Sequence, residues 1–200
     1  MQSIKSDLGA DTIRVGEFMW SILEPQDGVF NFTLLDSVLD TADKLGLQVM
    51  LGTPTATMPA WLAKAHPEVL MTTPSAPEGY PGATATFGGR RQYSFHSSLY
   101  RTYAARIVTK LPERYGAHPA VAFWQLDNEL GHEGSELDFS PNAQRAWRAW
   151  LRDTHRNSTS VLNAAWGPTF WSASYSDFEQ IPLPTWTIPA VGSGKTSFQN

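Results

Sequence analysis

The apolar run Phe123-Trp124-Gln125-Leu126 ends in Asp127-Asn128-Glu129, which sets a carboxyl able to carry a proton beside an amide able to hold a hydroxyl. Cleavage of a glycosidic bond asks for such a pair. One protonated carboxyl delivers a proton to the leaving oxygen, and a second carboxylate sits below the sugar ring. A neighbouring asparagine can hydrogen-bond the hydroxyl beside the reacting carbon, a contact that strengthens in the transition state. An acid of this kind works near neutral pH only if burial or a nearby charge favours its protonated form. Phe123 and Trp124 flank the pair as groups that could exclude water. The plainer alternative is a strand-end carboxylate that caps the next helix or pairs with an arginine. The Asn-Glu pair alone leaves both open.

Other side chains could join such a site. Arg90 and Arg91 follow the turn Gly88-Gly89, and an arginine's fork of donors suits oxygen acceptors in two directions. The competing reading is surface charge or a structural ion pair, which weighs more for Arg91 than for Arg90. Glu17 ends the run Thr12-Ile13-Arg14-Val15-Gly16, close behind Arg14, and could orient Arg90 or a substrate; a structural ion pair fits it equally. The chain holds 8 Trp, 6 Tyr and 10 Phe, and aromatic faces stack on the C–H patches of sugars as well as filling cores. Trp20, Trp61, Trp166 and Trp171 are the candidates for stacking, the last two being expected instead to pack within a helix–loop region. His132 and Glu133 lack a third ligand in sequence, so they are expected to shape the rim of a pocket rather than hold a metal.

The elements that must position these residues alternate between strand and helix. Residues 12–15 read as a strand. Residues 33–45 read as a helix, with Leu34, Leu35, Val38, Leu39, Ala42 and Leu45 at three-to-four spacing and Gly46 as its stop. Residues 47–51 give a second strand and 59–65 one or two helical turns. Residues 71–92 are a long loop rich in Pro, Gly, Ser and Thr. Residues 97–115 form a helix striped by Leu99, Tyr103, Ile107 and Leu111, and Pro112 is expected to break or kink its last turn. Residues 121–126 are a third strand. Ser140-Pro141 starts a helix whose apolar face is Ala143, Ala146, Trp147, Trp150 and Leu151. Strands joined by helices of this length imply parallel βαβ units, and polar residues at strand ends imply a (β/α) barrel with its site on the carboxyl face. Three such units against the eight of a barrel predict an α/β fold that is a partial TIM (β/α)8 barrel, its first half, beginning in a helix without its strand.

Composition removes several classes of function. A formal charge of −4 and scattered Lys and Arg argue against nucleic acid or an anionic membrane as partner. No apolar run reaches the roughly 18 residues of a membrane span, and the first residues lack the apolar core of a signal peptide, so the cytoplasm is the default location. Without cysteine there is neither a disulfide framework nor a thiolate metal site.

Four segments resemble family 42 of the glycoside hydrolases, the microbial β-galactosidases. They are Ile13-Arg14-Val15-Gly16-Glu17-Phe18-Met19-Trp20-Ser21 running on to Leu23-Glu24-Pro25, Leu51-Gly52-Thr53-Pro54-Thr55-Ala56-Thr57-Met58-Pro59-Ala60-Trp61-Leu62, Phe87-Gly88-Gly89-Arg90-Arg91-Gln92-Tyr93-Ser94, and the stretch from Trp124 to Gly134. The resemblance covers nearly the whole chain to about residue 188. It makes 1–187 the amino-terminal part of a catalytic barrel and 188–200 a divergent or irregular tail.

The resemblance implies a retaining β-galactosidase acting on terminal β-D-galactose. Glu129 matches its general acid/base, Asn128 the residue that contacts the 2-hydroxyl of galactose, and Arg90 an arginine that reaches galactose hydroxyls. It implies a galactoside as partner and, for the full-length protein, a homo-oligomer, often a trimer. No segment matches the family's nucleophile, which belongs on a late strand, so this polypeptide alone is expected to be inactive. No cofactor is expected either. Many members carry a four-cysteine zinc site, and here the first of those positions is Ser94. The alternatives are a related barrel glycosidase of other sugar specificity and a non-catalytic carbohydrate-binding fragment.

Overall fold

The structure, a computed structural model, describes residues 1–73, 85, 87–131, 137–168 and 172–184. In chain order the elements are α1 (Gln2–Ser6), β1 (Thr12–Val15), α2 (Trp20–Leu23), α3 (Thr33–Lys44), β2 (Gln48–Gly52), α4 (Ala60–Ala65), α5 (Ser98–Tyr115), β3 (Val121–Gln125), α6 (Pro141–Thr154) and α7 (Thr159–Trp166). The strands form one parallel sheet in the order β1-β2-β3. Thr12 pairs with Gln48 and Val15 with Leu51; across the other seam Gly52 pairs with Gln125. The second register shifts between Val49 and Met50, which face Val121 and Phe123 and leave Ala122 as an extra residue in β3. Parallel neighbours need crossover connections, and α3 and α5 lie in the two crossovers.

The helices begin and end where local chemistry says they should. Ser97 Oγ accepts the amide of Tyr100 at the head of α5, and Ser140 Oγ that of Ala143 at the head of α6. Gly46 closes α3 with a positive φ of 62°, and the amide of Leu47 returns to the carbonyl of Ala42 at 2.9 Å. Pro112 departs from expectation. The helix runs through it to Tyr115, and the Gly116 amide donates to the Pro112 carbonyl at 2.9 Å. Proline forfeits one hydrogen bond to the preceding turn. The buried side chains of Leu111 and Tyr115 on either side of it hold the last turn in place.

One core lies between the sheet and the crossover helices. Val49 and Leu51 of β2, Leu35 and Leu39 of α3, and Ile107 and Leu111 of α5 are fully buried there with Trp20 and Leu23. Each such aliphatic side chain contributes about 1.5–3 kcal/mol. A second cluster, Leu151, Leu162, Phe178 and Ile181, joins α6 and α7 to the turn at 178–180, with Trp147, Trp166 and Tyr175 packed on it. The expectation that Trp150 belongs to the apolar face of α6 fails. It is 54% exposed, stacked on the outside of Trp147. Trp166 packs as expected, whereas Trp171 and residues 185–200 lie outside the described residues.

Candidate active site

The carboxyl ends of the three strands come together through close backbone packing. A Cβ on Gly16, whose φ is 105°, would meet the Gly52 carbonyl oxygen at 2.8 Å, and one on Gly52 would meet the Glu17 amide nitrogen at 2.9 Å. Two glycines therefore let β1 and β2 end side by side. Glu17 leaves β1 at this point, but its carboxylate pairs with Arg14 Nε at 3.1 Å. Glu17 thus makes an ion pair of the kind the sequence allowed.

At the end of β3 the chain turns through two left-handed residues, Asp127 (φ 56°) and Glu129 (φ 46°), with Asn128 between them. Non-glycine residues held in this region cost of order 1–3 kcal/mol each and persist only where the surroundings over-determine them. Here the surroundings do so. The Asp127 amide donates to Thr53 Oγ1 at 2.7 Å. Its carboxylate accepts from Thr55 Oγ1 at 2.9 Å, from Arg91 Nη2 at 3.0 Å and from the Asn128 amide at 2.5 Å. Gln125 Nε2 donates both to the Asp127 carbonyl at 2.8 Å and to Asn128 Oδ1 at 3.1 Å. Asn128 ends up buried, with its amide held.

Glu129 and Arg90 meet directly, Arg90 Nη1 donating to Glu129 Oε2 at 2.5 Å. The Arg90 guanidinium also lies 5.9 Å from the centre of the Phe18 ring. Three predicted residues, Glu129, Asn128 and Arg90, are thus brought together, with an acidic, an amide and a cationic group at one strand end. The expected exclusion of water is not seen. The Glu129 side chain is 55% exposed, and Phe123 and Trp124 are 48% and 37% exposed. β3 is an edge strand of the described sheet, with no further strand paired along its far side among the described residues.

Two of the aromatic candidates are engaged within the fold. Trp20 is completely buried, tilted against Tyr100, with its indole N–H donated to the buried carboxylate of Glu24 at 3.0 Å. Trp61 donates to the Glu24 carbonyl at 2.8 Å and packs edge-on against Tyr103. Glu24 also receives the Gly28 amide and the guanidinium of Arg106, so this corner is a structural hub. His132 and Glu133 lie outside the described residues.

Arg91, given less weight in the sequence, proves to be the anchor of the turn: its side chain is 1% exposed and bound to Asp127. Behind that pair Tyr93 and Tyr100 stack with ring centres 4.0 Å apart. Burial, reinforced by the charge of Asp127, pushes the Tyr93 hydroxyl up to about 12. Thr53, Thr55 and Gln125 were missed altogether. The available signals were polar residues directly after β2 and an amide inside an otherwise apolar β3. A thiolate zinc site does not fit this chain: there is no cysteine, and the buried Ser94 hydroxyl contacts Ser140 Oγ at 3.3 Å and accepts the His96 amide at 3.2 Å. Among the described residues no cluster of three His, Asp or Glu gathers as metal ligands, and no helix is long and apolar enough to cross a membrane.

Comparison with known proteins gives concordant likenesses. The glycoside hydrolase 42 family profile, described as Beta-galactosidase, matches residues 2–196. The Thermus sp. protein named Beta-galactosidase BgaA is 45% identical over 182 residues, 91% of this chain and 27% of that one. A Thermus thermophilus protein named Beta-galactosidase is 43% identical, with 91% and 27% covered. Among solved structures, the β-galactosidase from the psychrophilic Marinomonas ef1 superposes with a TM-score of 0.84 at 42% identity, covering 92% of this chain and 27% of that one. The chain spans about a quarter of the length of the relatives it matches. The catalytic domain of a Paenibacillus polymyxa β-amylase, at 15% identity and a TM-score of 0.57, shares the fold alone. Three parallel strands with their helices and these likenesses make the fold a partial (β/α) barrel.

Proposed function

The chain belongs to the glycoside hydrolase 42 family, and from that premise we propose that it supplies the acid/base half of a retaining β-galactosidase site. Glu129 gives its proton to the glycosidic oxygen and then, as a carboxylate, takes one from water in the second displacement. Asn128 holds the 2-hydroxyl of galactose and Arg90 orients other hydroxyls. The observation that carries the reading is the convergence of Glu129, Asn128 and Arg90 at the carboxyl end of β3, the face on which barrel enzymes place their sites. In the resting arrangement Arg90 occupies Glu129; a substrate that takes over the guanidinium's donors releases the carboxyl to face the leaving oxygen.

Double displacement also requires a nucleophilic carboxylate about 5–5.5 Å from the acid. We assign that group to a segment outside these 200 residues, in which no stretch resembles the family's nucleophile strand; of the carboxylates near the strand ends, Glu17 pairs with Arg14 and Asp127 with Arg91. The partner is a galactoside. Cytoplasmic location and assembly as a homo-oligomer are further parts of the proposal, supported by the family resemblance alone.

The test is release of nitrophenol from nitrophenyl β-D-galactoside by the full polypeptide, with and without Glu129→Gln. General acid catalysis contributes about 10²–10⁴-fold, and the loss should be of that size. It should shrink for a dinitrophenyl leaving group, which needs little protonation. Normal rates in the amide variant, or cleavage of glucosides to the exclusion of galactosides, would overturn the proposal. The 200-residue polypeptide by itself should release no nitrophenol.

A further inference from the structure

Gln125 is a costly residue for its position. It sits in a strand that is otherwise Val, Ala, Phe and Trp, and its own Oε1 is buried without a hydrogen-bond partner among the described residues. A buried amide with an unmatched oxygen destabilises relative to a methionine of similar length. What the amide does with its other end gives a reason for keeping it.

Nε2 of Gln125 lies 2.8 Å from the carbonyl oxygen of Asp127. A backbone carbonyl only accepts, so the end of Gln125 that faces it must be the NH2 group. The same NH2 lies 3.1 Å from the amide of Asn128, and a donor needs an acceptor, so Asn128 turns its Oδ1 inward. The reversed arrangement would set two carbonyl oxygens, or two NH2 groups, against each other. Two amides whose ends are otherwise interchangeable are thereby fixed by a single backbone oxygen.

We infer that Gln125 is a positioning residue that locks the side-chain amide of Asn128 with its NH2 outward, so that the site offers the sugar a hydrogen-bond donor and not a carbonyl acceptor. Among the described residues the Asn128 Nδ2 has no acceptor of its own. It is matched to a substrate oxygen that carries a lone pair, which under the hydrolytic reading is the oxygen of the 2-hydroxyl. With that oxygen accepting from Asn128, the hydroxyl proton is free to turn towards a second acceptor. Only this last identification rests on the proposed function; the orientation of Asn128 follows from the bonds to Gln125.

Two measurements test the inference independently. In the full polypeptide, kcat/KM for an aryl β-galactoside is divided by that for its 2-deoxy analogue, with and without Gln125→Met. Freeing Asn128 to rotate removes about one neutral hydrogen bond to the 2-hydroxyl, so the ratio should fall about fivefold or more, chiefly in kcat. An unchanged ratio, even with both rates lowered, would reduce Gln125 to packing and overturn the inference. If no aryl galactoside is hydrolysed, the hydrolytic reading fails, and side-chain NMR still decides the orientation. The Asn128 carbonyl carbon should shift on Gln125→Met because it loses a donor, while its NH2 protons stay open to exchange in both forms. NH2 protons protected in the parent and released in the variant would place the nitrogen inward and refute the lock.

Discussion

Replacing Asp127 by Asn should destabilise the chain more than replacing its buried partner Arg91 by Met, and the difference can be worked from the hydrogen bonds. The Arg91 side chain is 1% exposed and that of Asp127 14%. Nη2 of Arg91 bonds the carboxylate at 3.0 Å, while Nε and Nη1 are buried without hydrogen-bond partners among the described residues. Asp127→Asn leaves that guanidinium in the interior with no counter-charge, which costs about 3–5 kcal/mol. Arg91→Met acts differently. It forfeits one charge-assisted bond, about 1.5–3 kcal/mol, but also removes two unsatisfied donors whose burial costs about 1–3 kcal/mol each. Asp127 retains the Thr55 hydroxyl at 2.9 Å and the Asn128 amide at 2.5 Å. The net cost of Arg91→Met should therefore stay below about 2 kcal/mol. Urea unfolding at constant slope reads the difference. With m near 2 kcal/mol/M, Asp127→Asn should lower the midpoint by about 1.5–2.5 M and Arg91→Met by less than about 1 M. In the double variant the two costs should fall short of their sum by about 1 kcal/mol or more, because the groups share one pair. Equal costs, or a larger one for Arg91→Met, would show that the unpaired nitrogens do not carry the expense assigned to them.

Two further perturbations test the surroundings of the site. Tyr93 holds its proton more tightly folded, at about 12, than a free tyrosine does at 10.0, so its contribution to stability is complete below pH 10 and is lost as pH rises from 10 towards 12. Tyr93→Phe should flatten the alkaline fall of the urea midpoint over that window, and an unaltered slope would refute burial as the cause. Gly52→Ala puts a Cβ 2.9 Å from the Glu17 amide nitrogen, and with backbone on both sides the strand ends must part. The expected cost is about 1–3 kcal/mol in urea unfolding, and a neutral substitution would show that the close approach of β1 and β2 is not needed.

How much of this was legible in the sequence depended on the distance over which each cause acts. Strand and helix limits follow from periodicity and from local signals such as Ser140 and Gly46, whose partners lie within a few residues; the elements read from them fall within a residue of their limits, whereas α2 and α7 were not read as elements. Pro112 obeyed a local rule that packing of α5 overrode. Trp20 looked like a sugar platform because nothing near it in sequence announces Tyr100, the ring it packs against from another helix. The anchors of Asp127 come from residues 72, 74 and 36 positions away, so no local pattern reveals them. Arg90 and Arg91 are adjacent and chemically identical, yet one reaches Glu129 and the other Asp127. The left-handed backbone at Arg91, with φ at 58°, helps direct the two side chains to different partners, and residue type alone carries no trace of it.

The anchors of the Asn-Glu turn also explain how that turn holds its shape at an edge strand of the described sheet. Thr53 and Thr55 follow β2, Arg91 follows the Gly-Gly turn, and Gln125 lies in β3 itself; each bond they make to Asp127 or Asn128 is internal to the described chain. The positions of Asp127 and Asn128 therefore do not depend on a partner along the open side of β3. Glu129 differs: its carboxylate has Arg90 for company and more than half its surface in water. Orientation of the turn is built in from the β2 side, while Phe123, Trp124 and Glu129 stay partly exposed. Substitutions at Thr55 or Arg91 should therefore disturb where the turn, and with it Glu129, points.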